Sequence, residues 1–382
     1  MEITIITPSF PYPKRGTLPG IERYIENLAI SLKNLNHNIK IVTTYWNGGD
    51  RYDIYKGLPI LRVLESKALL GKIGSIFLLN YFIFGLNIFR KKNYQFFQNS
   101  DIIIIAVAIG FTRILKNKKF RVISSFHHYD TPKTFVDFLY LPFFHYLEKR
   151  QFKLHQNIIV DSYFSKKEII RYYRINKNLI KVIPIGIDTN KFHPKNYSKE
   201  IREKYGQNIL LYVGPFEERK KIPILLEAMV LIIKEIRNVK LLLIGKGTLY
   251  NYCKNKVISL NIQDHVSFLG YLNDTDLVKY YASVDLFVFP SELEGFGQVI
   301  LEAMASGTPV ICANRLPMSE LIEDGGIIFN LNNPKDLSQK IIDLLVNRNG
   351  LEDLKKKALS VVEKYKRINI AKKYLEAIKE KK

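Results

Sequence analysis

The residues best suited to chemistry lie in Pro290-Ser291-Glu292-Leu293-Glu294-Gly295-Phe296-Gly297-Gln298-Val299-Ile300-Leu301-Glu302-Ala303-Met304-Ala305. The apolar run Leu286-Phe287-Val288-Phe289 ahead of them reads as a buried strand, and a helix is expected from Gln298 onward. The Gly295-Phe296-Gly297 turn between them exposes backbone N–H groups at the positive end of a helix, an anion site suited to a diphosphate. Glycine lets a ligand come close to the backbone. Glu294 stands just before the turn and Glu302 on the helix it opens, with seven residues between them. Carboxylates so placed can accept hydrogen bonds from sugar and ribose hydroxyls. The spacing argues against a glycosidase pair, whose carboxyls lie about 5–9.5 Å apart across one bond. The same residues would also make a plain helix start carrying two surface glutamates.

Two further clusters follow predicted strands. Gly214-Pro215-Phe216-Glu217-Glu218-Arg219-Lys220-Lys221 succeeds Ile209-Leu210-Leu211-Tyr212-Val213. Cations at a strand end can neutralise a diphosphate and the charge of a departing nucleotide, or form a solvated charge run. Phe126-His127-His128-Tyr129-Asp130 succeeds the strand ending at Ser125. A histidine at a strand carboxyl end points to a ligand cleft or fills a structural position.

These clusters need a frame, and the chain supplies it twice. Ile3 to Thr7, a Pro- and Gly-rich loop from Pro8 to Gly20, a helix from Ile21 to Leu35 and a strand at Ile39 to Thr43 form a β-loop-α-β unit. Ile102 to Ile105, Val122 to Ser125 and Ile158 to Val160 read as further strands, rich in β-branched residues and thus suited to a sheet covered on both faces. The pattern restarts near residue 209. Strands are expected at 209–213, 240–244, 266–269, 286–289, 309–312 and 326–329, with a helix at 224–235. The polar, basic segment Pro184 to Gln207 is the expected hinge, and Leu351 to Lys382 reads as one or two amphipathic helices, which are expected to pack back on the first domain. The fold class is therefore α/β, two tandem doubly wound domains (1–195 and 196–382) facing an interdomain cleft, where ligands of such sheets bind.

The 290–305 segment resembles the Glu-x7-Glu signature of glycosyltransferase family 4, retaining enzymes of the GT-B fold with two Rossmann-like domains. The resemblance extends to Ala305-Ser306-Gly307-Thr308-Pro309-Val310, to Val182-Ile183-Pro184-Ile185-Gly186-Ile187-Asp188 with Phe192 and Pro194, and to Gly245-Lys246-Gly247 and Phe268-Leu269-Gly270. It implies that Glu294 and the backbone of Gly295, Phe296 and Gly297 hold the donor sugar and diphosphate, and that Glu302 binds the ribose hydroxyls. Lys220 matches the family's lysine, with Arg219 before it; Pro215 stands where the family usually has arginine and Lys221 where it has glycine. Gly214, Gly245 and Gly247 join the donor-binding set, and Gly20 matches the second glycine of the family's first loop. His127 would lie near the donor sugar, with His128 in place of a glycine. Glu294, His127 and Lys220 are the expected catalytic residues. No metal and no cofactor is expected: no Asp-x-Asp motif is read as binding a metal, the resemblance implies a family that generally needs none, and the nucleotide-sugar is a substrate.

Composition sets the remaining bounds. The 382 residues are 47% hydrophobic and 25% charged, which excludes a disordered or fibrous chain. Two cysteines, Cys253 and Cys312, build neither a disulfide framework nor a four-ligand zinc site and point to the cytoplasm. The start lacks the pattern of a secretory signal. Net charge is +22. Residues 1–195 carry 30 Lys+Arg against 13 Asp+Glu, net +17; residues 196–382 carry 28 against 23, net +5. The basic first half favours an acidic or lipid-linked glycan acceptor and an anionic membrane surface, unless it is lysine-rich style alone. Ile73 to Phe89, flanked by Lys67, Lys72, Arg90, Lys91 and Lys92, fits peripheral contact with the inner face of the cell membrane or a core helix. It is at the short limit for crossing a bilayer.

The function expected is retaining transfer from a UDP- or GDP-sugar donor. The alternatives are a nucleotide-sugar epimerase on the same architecture and a basic binding module without catalysis. Nucleic acid is not an expected partner, since no helix-turn-helix, zinc finger or stacking motif is present.

Overall fold

The computed structural model describes residues 1–8, 10, 20–45, 50–65, 84–106, 120–127, 135–155 and 157–379. They divide into two compact units, Met1–Gly186 with Ile368–Lys382 and Ile187–Arg367.

The first unit is built on β1 (Glu2–Ile6), β2 (Asn38–Tyr45), β3 (Tyr52–Tyr55), β4 (Leu58–Glu65), β5 (Ile102–Ile105), β6 (Arg121–Phe126), β7 (Ile158–Val160) and β8 (Ile180–Val182). Among the described residues these form one sheet in the order β3-β4-β2-β1-β5-β6-β7-β8. All neighbours are parallel except the β3–β4 hairpin. β5 is four isoleucines, all buried, as a strand covered on both faces requires. Helix α1 (Gly20–Asn34) buries Ile25, Leu28, Ala29 and Leu32, spaced three and four apart. Helices α2 (Phe135–His155) and α3 (Tyr163–Glu168) precede β7 and β8.

The second unit holds β9 (Ile209–Val213), β10 (Lys240–Ile244), β11 (Val266–Gly270), β12 (Leu286–Phe289), β13 (Val310–Ala313) and β14 (Gly326–Phe329), all parallel. Their order is β11-β10-β9-β12-β13-β14. Helices used below are α4 (Ile222–Glu235), α5 (Asp274–Ser283), α6 (Gln298–Ala305), α7 (Arg348–Glu363) and α8 (Arg367–Lys379). Apart from the edge hairpin β3–β4, each sheet reverses its strand order once, between β1 and β5 and between β9 and β12. These two reversals are the switch points where doubly wound sheets bind ligands.

Three features of the fold bear on the sequence reading. The β3–β4 hairpin was not expected. Its turn is Lys56-Gly57, both at positive φ (51° and 71°), a two-residue reversal whose single sequence cue is Gly57. The units meet at Gly186/Ile187 rather than at residue 195. Residues 187–195 are bound into the second unit: Ile187 bridges to Lys366, Phe192 packs edge-on to Tyr281, and Lys191 pairs with Asp274. The chain's end groups with the first unit, where Tyr374 on α8 meets Tyr24 on α1 hydroxyl to hydroxyl. Of the stretch Ile73 to Phe89, residues 73–83 lie outside the described residues. In the remainder, Phe84 and Ile88 are fully buried in a core cluster with Ile6, Val42, Leu61, Phe97 and Ile103. Among the described residues no helix is long and apolar enough to cross a membrane.

Candidate active site

The β9/β12 switch point gathers most of the expected donor site. The segment after β9 carries Gly214, Arg219 and Lys220; the segment after β12 carries Glu294, Gly295, Phe296 and Gly297. The two are tied together by the Glu292 amide, which donates to the Arg219 carbonyl at 2.7 Å. Lys220 is 4% exposed, and its Nζ bonds Glu294 Oε1. The same oxygen accepts from Ser291 Oγ at 2.6 Å and from Arg219 Nη1 at 3.3 Å. Arg219 also donates to the Leu293 carbonyl at 3.0 Å and pairs through Nε with Glu217 at 2.8 Å. The Lys220 ammonium lies 4.8 Å from the centre of the Phe289 ring, within cation–π range. Burial pushes the Lys220 amine below its ordinary value, and Glu294 partly offsets that. A nearly buried ammonium holding one carboxylate keeps further N–H donors for a second anion.

The turn follows from its glycines. Gly297 has φ 94°, a left-handed conformation that L side chains rarely adopt, and it caps α6. Phe296 faces inward and packs edge-on to Tyr365, so only its backbone is available to a ligand. Gly245 and Gly247 sit after β10 and make room for the segment after β9. A Cβ on Gly245 would fall 2.0 Å from the Gly214 carbonyl oxygen, and one on Gly247 would fall 2.5 Å from that of Phe216. Their demonstrable task is this close approach of two backbones.

Glu302, one turn into α6, is 1% exposed, and its Oε2 accepts from the Tyr281 hydroxyl at 3.0 Å. Tyr281, Ser291 and Phe289 support the expected residues and were not found from sequence. A buried tyrosine and a serine two residues after the end of a strand carry no spacing signal of their own. Lys221, at the position where the family has glycine, adopts φ 49°. The backbone there has the shape glycine ordinarily provides, and the lysine side chain pairs with Glu292 at 2.9 Å.

The other expected residues lie in the first unit. Gly20 opens α1, exposed; Pro13 to Pro19 of its loop lie outside the described residues. His127 directly follows β6, and its Nδ1 is 3.1 Å from Asp161 Oδ2. His128, Tyr129 and Asp130 lie outside the described residues. Among the described residues no three His, Cys, Asp or Glu side chains gather in a way that would hold a metal ion.

Two Rossmann-like α/β units in tandem, the second with Lys220 and Arg219 beside a glycine turn at its switch point, define the GT-B class of glycosyltransferases. Residues 19–191 match the family model described as Glycosyltransferase Family 4, and residues 195–361 that described as Glycosyl transferases group 1. The chain belongs to this family of group 1 glycosyltransferases. It is 29% identical over 364 residues to an uncharacterized glycosyltransferase of Methanocaldococcus jannaschii, across 92% of this chain and 90% of that protein. The fold is similar to that of a sucrose-phosphate synthase from Thermosynechococcus elongatus, with TM-score 0.78, 19% identity and coverage of 98% and 97% of the two chains. It is also similar to Anabaena HepE, solved in complex with UDP and glucose, with TM-score 0.74, 19% identity and 98% of each chain covered.

Proposed function

We propose that the chain is a retaining, metal-independent glycosyltransferase whose donor is a UDP- or GDP-sugar. The observation that carries this reading is the convergence of Lys220 and Arg219 on Glu294 beside the N-terminus of α6. In this reading the diphosphate takes N–H groups of the Gly295–Gln298 turn and the spare donors of Lys220 and Arg219. Glu294 then receives hydroxyls of the sugar, and Glu302, oriented by Tyr281, receives those of the ribose. The complex of HepE with UDP and glucose supports a nucleotide-sugar donor.

A nucleoside diphosphate is already a good leaving group. Catalysis then rests on positioning and on stabilising the negative charge that grows on the departing phosphate, the work of Lys220, Arg219 and the helix dipole. Retention follows the family resemblance. The acceptor oxygen bonds to the anomeric carbon on the face the phosphate leaves, and the departing phosphate oxygen takes the acceptor's proton. His127 is the third catalytic candidate.

The acceptor proposed is acidic or lipid-linked, reached from the cytoplasmic face of an anionic membrane. The +17 balance of residues 1–195 supports this. So does the exposed stripe of α2, where Phe143 (56% exposed), Tyr146 (57%), Arg150 and Lys153 share one side.

Thermal-shift screening against UDP- and GDP-sugars, with and without a chelator, tests the donor assignment, since a ligand of the native state raises its melting temperature. One nucleotide series is expected to raise it in chelator. No shift with either series, or one abolished by chelator, would contradict the proposal. The configuration of the glycosidic bond in the product, read by NMR, tests retention.

A further inference from the structure

We propose that Asp161 is a positioning residue that fixes the tautomer of His127 so that its Nε2 accepts a hydrogen bond, which directs this histidine to a hydroxyl rather than to a phosphate oxygen. The part about the ligand rests on the glycosyltransferase reading; the assignment of the tautomer does not.

The parallel register of β6 and β7 pairs Phe126 with Val160, so the next residues, His127 and Asp161, emerge side by side at the carboxyl ends of adjacent strands. The Asp161 side chain is 3% exposed. Its Oδ2 lies 3.1 Å from His127 Nδ1, while its Oδ1 accepts from Ser165 Oγ at 2.7 Å. Ser162 Oγ lies 3.3 Å from that same oxygen. An ionised carboxylate only accepts, so Nδ1 carries the proton and the neutral ring's lone pair is left on Nε2. The ring cannot readily turn away. Tyr24 packs edge-on against it at 5.1 Å, and the Tyr24 hydroxyl is in turn bonded to that of Tyr374. Nε2 is buried without a hydrogen-bond partner among the described residues. A buried acceptor in that state calls for an occupant. A sugar hydroxyl can donate to it, and an ionised phosphate oxygen cannot.

Histidine ring tautomers are read from long-range 1H–15N spectra of the full chain at pH 8, with the His127 signals identified by their loss in His127→Gln. Wild type is expected to show the Nδ1–H form. In Asp161→Asn the amide donates to Nδ1, and the proton is expected on Nε2. Transfer kinetics complete the test. The same substitution in a hydrolase Asp–His pair lowers kcat about 10⁴-fold. Here, where the histidine is not the general base, Asp161→Asn is expected to lower kcat about 100-fold, with donor KM changed less than about threefold. In the His127→Gln background it should cost almost nothing. An Nε2–H tautomer in wild type overturns the proposal without any reliance on the Asp161 variant folding. An equal loss in both backgrounds overturns it too, since Asp161 would then act on structure and not through His127. Undiminished transfer by His127→Phe, which keeps a ring but offers no acceptor nitrogen, would overturn the hydroxyl-accepting role. Absence of transfer by the wild type would instead count against the glycosyltransferase reading, and the spectra would still decide the Asp161 assignment.

Discussion

Burial opposes the charge of Lys220, yet the protein places that ammonium against Glu294 at the one strand reversal of the second sheet. The pair accounts for both residues, and each predicts a different loss. Glu294→Gln keeps the side chain's size but removes a charged acceptor, and hydrogen bonds to such acceptors are worth about 1.5–3 kcal/mol each. Transfer is expected to fall at least about 100-fold, measured as donor turnover, while the circular dichroism spectrum stays unchanged. Glu294→Ala should also destabilise the fold, because it leaves Lys220 buried without its carboxylate. Lys221 offers a test in the opposite direction. A non-glycine residue in the left-handed region costs about 1–2 kcal/mol. Lys221→Gly should therefore raise stability by about 1 kcal/mol in urea unfolding after its own entropy cost. A lower midpoint would mean that the ion pair with Glu292 outweighs the strain. Residues of this site were legible in the sequence where spacing carried them: Glu294, Glu302, Lys220 and the glycines of the turn. Tyr281, Ser291 and Asp161 were not, because each is a common residue made significant only by a partner 21, 3 and 34 positions away.

At the scale of elements, the second sheet was legible almost strand for strand, since runs such as Leu-Phe-Val-Phe and Lys-Leu-Leu-Leu-Ile are too apolar for a surface and too short for a helix. The β3–β4 hairpin escaped because Tyr-Asp-Ile-Tyr is only four residues long and stays largely exposed at the sheet edge. Asp285 is an anchor no motif announced. Arg202 grips it at 2.7 and 3.2 Å, the Ile209 amide donates to it at 2.8 Å and Arg348 lies at 3.4 Å. It thereby ties β9, the helix Lys199–Tyr205 and α7 to the start of β12. Burial alone would raise its carboxyl pKa, but Arg202, the Ile209 amide and Arg348 together hold it below the usual value of 3.8. A depressed folded-state pKa gives stability that is present above the ordinary value and lost as pH falls through the folded one. Wild type should therefore lose this contribution only below about pH 3.8. Asp285→Asn is expected to cost about 2–3 kcal/mol at neutral pH and to flatten that acid loss; an unfolding midpoint equal to wild type at pH 7 would contradict the anchoring role.

Over the whole molecule charge is distributed unevenly along the chain, with net +17 on residues 1–195 and +5 on the rest. Each Lys or Arg near an anionic leaflet contributes about 1 kcal/mol, so a few suffice for reversible attachment. The full chain is expected to pellet with anionic but not neutral vesicles and to be released by salt. Phe143→Ala with Arg150→Glu and Lys153→Glu should reduce pelleting more than neutralising Arg90, Lys91 and Lys92, which follow a core segment. No pelleting at low salt would reject the membrane partner and leave the donor site untouched. That donor site is the centre of the account, and calorimetric titration of the full chain with UDP and GDP tests it most directly, with uridine and guanosine as references and Lys220→Ala alongside wild type. One nucleoside diphosphate is predicted to bind, and Lys220→Ala is predicted to weaken it at least about tenfold, the loss of one charged hydrogen bond, while its nucleoside binds both proteins alike. Failure of both diphosphates to bind, or equal weakening of nucleoside and diphosphate, would contradict a phosphate site at Lys220 and the turn beside it.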